Sequence, residues 1–87
     1  HWECILRTRA IENACYIVAA DQIGQKHEFL AYGHSMVIDP WGTVIAKARD
    51  EAGMFYADID LDYEDKIRQK VPVLKNRRSD IYEVKRR

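Results

Sequence analysis

The sequence predicts an α/β fold: a helix, a buried strand, a hairpin with a third strand, a second helix and an extended tail. Three observations carry this. An apolar stripe at helical spacing opens the chain, a continuous apolar run covers Ala14–Ala20, and short apolar segments flank the turn Asp39-Pro40-Trp41-Gly42. With 87 residues there is room for one small domain at most. A chain of this size buries only a modest share of its surface.

The first helix is read over His1–Glu12. Trp2, Ile5, Leu6 and Ala10 recur at helical spacing, with Glu3, Arg7, Thr8 and Glu12 on other faces. No Ser, Thr, Asp or Asn precedes the stripe as a cap. The expectation is therefore a piece of a longer protein that enters in mid-stripe. Ala14–Ala20, with Cys15, Tyr16, Ile17 and Val18, suits a strand buried on both faces. Asp21–Ala31 mixes polar and aromatic residues around Gly24 and reads as a loop that could rim a site.

Ser35–Asp39 and Thr43–Ala48 form a predicted hairpin. Pro40 presets the φ angle at the second turn position, and Gly42 accepts the left-handed conformation that closes the turn. A second turn over Asp50–Gly53 leads to a third strand, Met54–Ile59, alternating in part through Phe55, Ala57 and Ile59. Asp60 caps the second helix, Leu61–Lys70. Asp62, Glu64 and Asp65 lie early in it and Lys66, Arg68 and Lys70 late, which complements the helix dipole. Pro72 stops it. Residues 73–87 read as an extended basic tail with Ile81 and Tyr82 as anchors.

Fourteen bases balance fourteen acids. Overall charge thus gives no reason to expect nucleic acid or a membrane surface as partner. No apolar run approaches the ~20 residues of a membrane span. Lys75–Arg78 and Lys85–Arg87 are basic clusters, but no nucleic-acid recognition motif accompanies them. A packed tail with Arg–Asp pairing through Asp80 is the expected reading. The acids from Asp58 to Asp65 lack the glycine and terminal glutamate of a calcium loop, and helix capping explains them.

Two cysteines make a thin disulfide framework, and reduced thiols are expected. Cys4 has His1 one helical turn away and Glu3 beside it. A reactive thiol needs a lowered pKa and access, whereas Cys4 borders the apolar stripe, so packing is its expected role. Cys15, inside the buried run, is expected to be inert. His1, His27 and His34 match no zinc spacing, and no metal is expected. His34 is read as a hydrogen-bonded lock at a strand entry or as part of a pocket rim. Lys26, His27, Phe29 and Tyr32 either shape such a rim or form a solvent loop.

Five segments in order resemble one family. They are His1-Trp2-Glu3 with Arg7-Thr8-Arg9-Ala10-Ile11-Glu12-Asn13, Cys15–Ala20, Tyr32-Gly33-His34-Ser35 with Asp39-Pro40-Trp41-Gly42, Val71-Pro72-Val73-Leu74, and Arg77–Tyr82. Each is weak singly. Together they resemble the C-terminal part of the nitrilase superfamily, the carbon–nitrogen hydrolases, and cover nearly the whole chain. The resemblance implies part of an αββα sandwich. Within the superfamily the pattern is closest to the Nit branch, amidases of deaminated glutathione or of ω-amides of 2-oxo acids.

The family chemistry uses a Cys nucleophile, a Glu base and acid, and a Lys that stabilises the oxyanion. By the family layout all three precede His1, so no residue here is assigned a catalytic role. The resemblance further implies a cofactor-free enzyme with a small-molecule amide substrate. It also implies a homodimer or larger assembly whose contact includes Trp2, Ile5 and Arg9. Trp2 is in addition a candidate for the substrate-pocket rim, with His27, Tyr32 and His34. A cytoplasmic location is expected, with mitochondria as the alternative. The other functional reading is a non-catalytic interaction or dimerisation module derived from the same fold.

Overall fold

The computed structural model describes residues 1–87. The elements are α1 (Trp2–Asn13), β1 (Ile17–Ala19), β2 (Ile23–Gln25), β3 (Leu30–Tyr32), β4 (Met36–Ile38), β5 (Val44–Lys47) and α2 (Leu61–Lys70). They build a three-stranded antiparallel sheet in the order β1-β4-β5 and a separate ribbon, β2-β3. The α/β class is as the sequence predicts.

Helix α1 lays Trp2, Leu6 and Ala10, one residue per turn, against the central strand. Ala10, Met36 and Ile38 are fully buried, with Trp2, Leu6, Ile17 and Val44 packed around them. Ile5 does not join this ridge and is 52% exposed. The helix ends in a left-handed Ala14 (φ 49°, ψ 50°). The Ala14 N–H donates to the Ile11 carbonyl and the Cys15 N–H to the Ala10 carbonyl. This is the double-bonded C-terminal turn that glycine usually supplies. With alanine, the conformation costs about 1 kcal/mol or more.

Helix α2 holds that corner. Its N-cap and two of its helical positions, each one turn apart, reach the segment Ala14–Tyr16. The Asp60 N–H donates to the Tyr16 hydroxyl at 3.2 Å. Glu64 accepts from the Tyr16 N–H at 3.4 Å, and Arg68 Nε donates to the Ala14 carbonyl at 3.1 Å. Asp60 also caps the helix as predicted, its carboxylate accepting from the Asp62 and Tyr63 N–H groups.

The turn between β4 and β5 is satisfied within itself. The Gly42 N–H donates to the Asp39 carbonyl, and the Asp39 N–H to the Thr43 carbonyl, each at 2.9 Å. Asp39 Oδ1 accepts from the Trp41 and Thr43 N–H groups, each at 2.9 Å. Gly42 sits at φ +94°. A three-residue loop with a left-handed glycine and an adjacent bulge is a standard hairpin solution, and the β4–β5 register does shift between Val37 and Ile38. Helix α1 presses on this turn. Arg7 Nε donates to the Gly42 carbonyl at 2.7 Å. The Ile11 side chain lies 2.7 Å from where a Cβ on Gly42 would stand.

Four expectations change. Ala14–Ala20 is not a strand buried on both faces: β1 has three residues, Val18 is 70% exposed, and Cys15 lies in the corner before it, half-buried. Helices cover only one face of this sheet. Asp21–Ala31 is not a loop but most of the β2–β3 ribbon, in which Gly24 pairs with Ala31 rather than breaking the chain. Met54–Ile59 joins no ladder; it runs beside Val18 and Val37 with Phe55 and Ala57 half-buried. Ile81 and Tyr82 are exposed and anchor nothing. The tail makes turns at residues 73–76 and 79–81 and otherwise lacks regular structure.

Candidate functional site

Three of the four rim candidates meet where α1 begins and β3 ends. Gly33 (φ +71°) and His34 (φ +59°) are consecutive left-handed residues that turn the chain from the ribbon into β4. Histidine tolerates this region better than most side chains but still pays for it. Contacts on both sides hold it. The His34 imidazole stacks on the Tyr32 ring, with centroids 4.0 Å apart and planes 27° from parallel. His34 Nδ1 lies 2.6 Å from the Tyr32 carbonyl. The Trp2 indole N–H donates to the His34 carbonyl at 3.1 Å. Trp2 thus packs on the core with its ring and fixes the kink with its nitrogen.

Gly33 is tightly enclosed, since a Cβ there would stand 2.6 Å from Ile23 Cγ2. Ser35 closes the base of the ribbon. Its hydroxyl accepts from the Asp21 N–H at 2.8 Å and donates to the Asp21 carbonyl at 3.3 Å. Sequence reasoning gave Ser35 no such role; a hydroxyl beside a Gly-His pair was the only signal. Arg7, which clamps the β4–β5 turn, was likewise read only as a polar helix position.

His27 does not join the cluster. It lies on the exposed bend between β2 and β3, where the Lys26 N–H donates to the Phe29 carbonyl to close the tip. Ile5 and Arg9, one turn apart, share an exposed side of α1, while Trp2 belongs to the buried side. Arg9 pairs with Glu12.

A groove of about 570 Å³ runs along α1, lined by His1, Glu3, Cys4, Arg7 and Ile11 with Tyr32. Glu3 is engaged by Lys47 at 3.6 Å. Cys4 is exposed, Cys15 half-buried, and both are free thiols. Neither sulfur is hydrogen-bonded to a histidine or carboxylate, so the groove holds aromatic, cationic and thiol groups without a nucleophile–base pair. No three His, Cys, Asp or Glu side chains gather as a metal site would require.

One further group is electrostatically perturbed. Burial, then the nearby Asp39 carboxylate and the Tyr16 phenol, push the Tyr63 hydroxyl pKa up. Tyr63 is a half-buried residue of α2 facing the β4–β5 turn, a structural position. Two helical turns further along α2, the Lys70 ammonium sits 5.8 Å from the Trp41 ring centre.

Residues 1–69 match the carbon-nitrogen hydrolase family. This chain belongs to the carbon-nitrogen hydrolases. It is 54% identical over 83 residues to deaminated glutathione amidase of Homo sapiens, covering 94% of this chain and 25% of that protein. It is 46% identical over 85 residues to the omega-amidase NIT2 of Danio rerio, covering 97% of this chain and 31% of that protein. The crystal structure of the Caenorhabditis elegans NitFhit protein superposes with a TM-score of 0.87 at 52% identity, over 95% of this chain and 20% of that one. The chain thus spans about a quarter of the length of the curated relatives it matches. The superposition extends over nearly the whole chain, so its helix–sheet arrangement is that of a carbon-nitrogen hydrolase.

Proposed function

We propose that this chain is the C-terminal portion of a Nit-type amidase that hydrolyses a small-molecule amide. The Cys, Glu and Lys of the family mechanism are supplied by sequence outside residues 1–87. One observation carries the reading. The match runs the length of the chain and is higher to a deaminated glutathione amidase, at 54%, than to an omega-amidase, at 46%. Deaminated glutathione is accordingly the favoured substrate, and the ω-amide of a 2-oxo acid is second.

The geometry supports four tasks for the fragment. Helix α1 and strand β4 supply core. The outer face of the three-stranded sheet, with Val18 at its edge and an apolar hollow of about 480 Å³ beside Val37 and Phe55, takes the second sheet of the sandwich. Trp2, Tyr32 and His34 form part of the pocket rim. Ile5 and Arg9 contribute to a homodimer contact.

Two experiments test this. The full-length protein is assayed on both amides. Turnover that favours deaminated glutathione, abolished when the upstream cysteine is replaced, is expected. No turnover of either would reject the enzyme reading and leave an interaction module. For the dimer contact, I5D combined with R9E should shift sedimentation from dimer to monomer. An unchanged sedimentation coefficient removes these two residues from the interface.

A further inference from the structure

We propose that His34 is a preset hydrogen-bond acceptor for an amide N–H of the ligand, an assignment that rests on the amidase reading. The argument begins with the Tyr32 carbonyl. A carbonyl can only accept, so the 2.6 Å contact requires that Nδ1 carry the proton. In the neutral ring the lone pair then lies on Nε2. Nε2 makes no hydrogen bond within the chain, although the ring is only half exposed.

The ring has little freedom to turn. It is stacked on Tyr32, and its backbone is held at φ +59° by the indole N–H of Trp2 on its carbonyl. A left-handed histidine next to a left-handed glycine is a conformation that surrounding contacts must maintain, and such positions concentrate at sites of function. Tyr32, on which the ring rests, lines the groove along α1. A fixed acceptor stacked on a groove-lining ring favours a ligand that presents an N–H. A carboxylate, the product of amide hydrolysis, offers only acceptors and gains nothing from a neutral Nε2. His34 thereby distinguishes amide from acid, as a specificity-determining residue that touches the ligand and not the reacting bond.

The test uses the full-length protein. Two-dimensional ¹⁵N NMR of the histidine rings near pH 9, where imidazole is neutral, should show His34 with the proton on Nδ1, the tautomer that free imidazole disfavours. Asparagine accepts the left-handed conformation and can keep the bond to the Tyr32 carbonyl, but has no group at the Nε2 position. H34N should therefore melt as the parent does and raise KM for the amide about five- to ten-fold, the loss of one neutral hydrogen bond. Its kcat should stay within about two-fold, since the bond is made equally in ground and transition states. H34Q, whose amide oxygen reaches the Nε2 position, should recover part of the loss. A proton on Nε2 overturns the assignment, and so does an unchanged KM in H34N with normal turnover. Absence of turnover in the parent overturns the amidase reading, and this assignment with it.

Discussion

Strands β3 and β4 are each three residues long, antiparallel and apolar, yet their environments are opposite. Met36, Val37 and Ile38 of β4 are all buried, whereas Leu30 of β3 is 71% exposed and only its middle residue, Ala31, is buried. Leu-Ala-Tyr is the poorer strand sequence, since alanine is depleted in strands whereas valine and isoleucine are enriched, but propensity does not set burial. The difference lies in what surrounds them. Strand β4 has a neighbour on each side and α1 on one face, while β3 has one partner in a ribbon that no helix covers. Two-stranded ribbons are marginal alone. Met36 and Ile38 are buried under α1, Val37 lies on the other face beside the Met54–Ile59 segment, and the α2 grip on Ala14–Tyr16 fixes where α1 ends and β1 starts.

The largest expected effect comes from cutting into the covered strand. I38A should cost about 2–5 kcal/mol, the range for a fully buried branched side chain. L30A in the ribbon should cost no more than about 0.5 kcal/mol. Denaturation midpoints at constant m-value compare them. A large loss at Leu30 would mean that a partner or another part of the protein covers the ribbon.

Two glycines sharpen the contrast with matched backbone geometry. Gly42 and Gly24 have φ of +94° and +89°. A Cβ on Gly24 meets nothing within 4 Å, whereas on Gly42 it meets Ile11 at 2.7 Å. G24A should cost about 1 kcal/mol for the left-handed alanine alone. G42A should cost about 2–4 kcal/mol, because overpacking against α1 adds to the strain. Shortening Ile11 in the same chain should relieve part of the second cost and none of the first. A double-mutant cycle that shows no coupling between Ile11 and Gly42 would place the whole cost in the backbone.

The same contrast explains what could be read beforehand. The helical stripe of Trp2, Leu6 and Ala10 (without Ile5, which is exposed), the turn at Asp39–Gly42 and the Asp60 cap rest on local rules and appear where the sequence puts them. The ribbon is not legible in the sequence because Gly24, a residue that usually breaks a strand, is here a paired strand residue. Strand β1 was expected to be buried on both faces because its run is continuously apolar. Composition does not say whether the second face has a cover in the same chain. Met54–Ile59 has strand alternation and even strand-like half-burial at Phe55 and Ala57, but no ladder reaches it. At the rim, residue type alone suggested His27 as readily as His34. Only the two left-handed residues at 33 and 34 bring Tyr32, His34 and Trp2 together, and no periodicity announces them.

A smaller effect probes the corner. D60A removes a side chain that accepts two N–H groups at the start of α2 and should cost about 1 kcal/mol. Because α2 also holds Ala14–Tyr16, hydrogen exchange at Cys15 and Tyr16 should speed up with it. Exchange confined to α2 would separate the helix from the corner.

The smallest effect belongs to the tail, which neither helix nor sheet covers. Arg78 donates to both carboxylate oxygens of Asp80 at 2.9 Å. That bond holds the Asp80 carboxyl below its ordinary pKa and raises that of the Arg78 guanidinium. A carboxyl lowered in the folded state stabilises it at pH values above its unfolded pKa, and the contribution is lost as pH falls through the lowered value. Both side chains are exposed, so the local turn should open on acidification while the denaturation midpoint stays put, and added salt should weaken the pair. NMR titration of the Asp80 carboxyl in the parent and in R78Q reads this directly, with the midpoint expected to rise to the ordinary carboxylate range in the variant. An unchanged midpoint would mean that the pair does not form in solution. A rise accompanied by loss of sheet stability would mean that the tail is packed against the body, as the covered strand is, and no longer belongs with the ribbon.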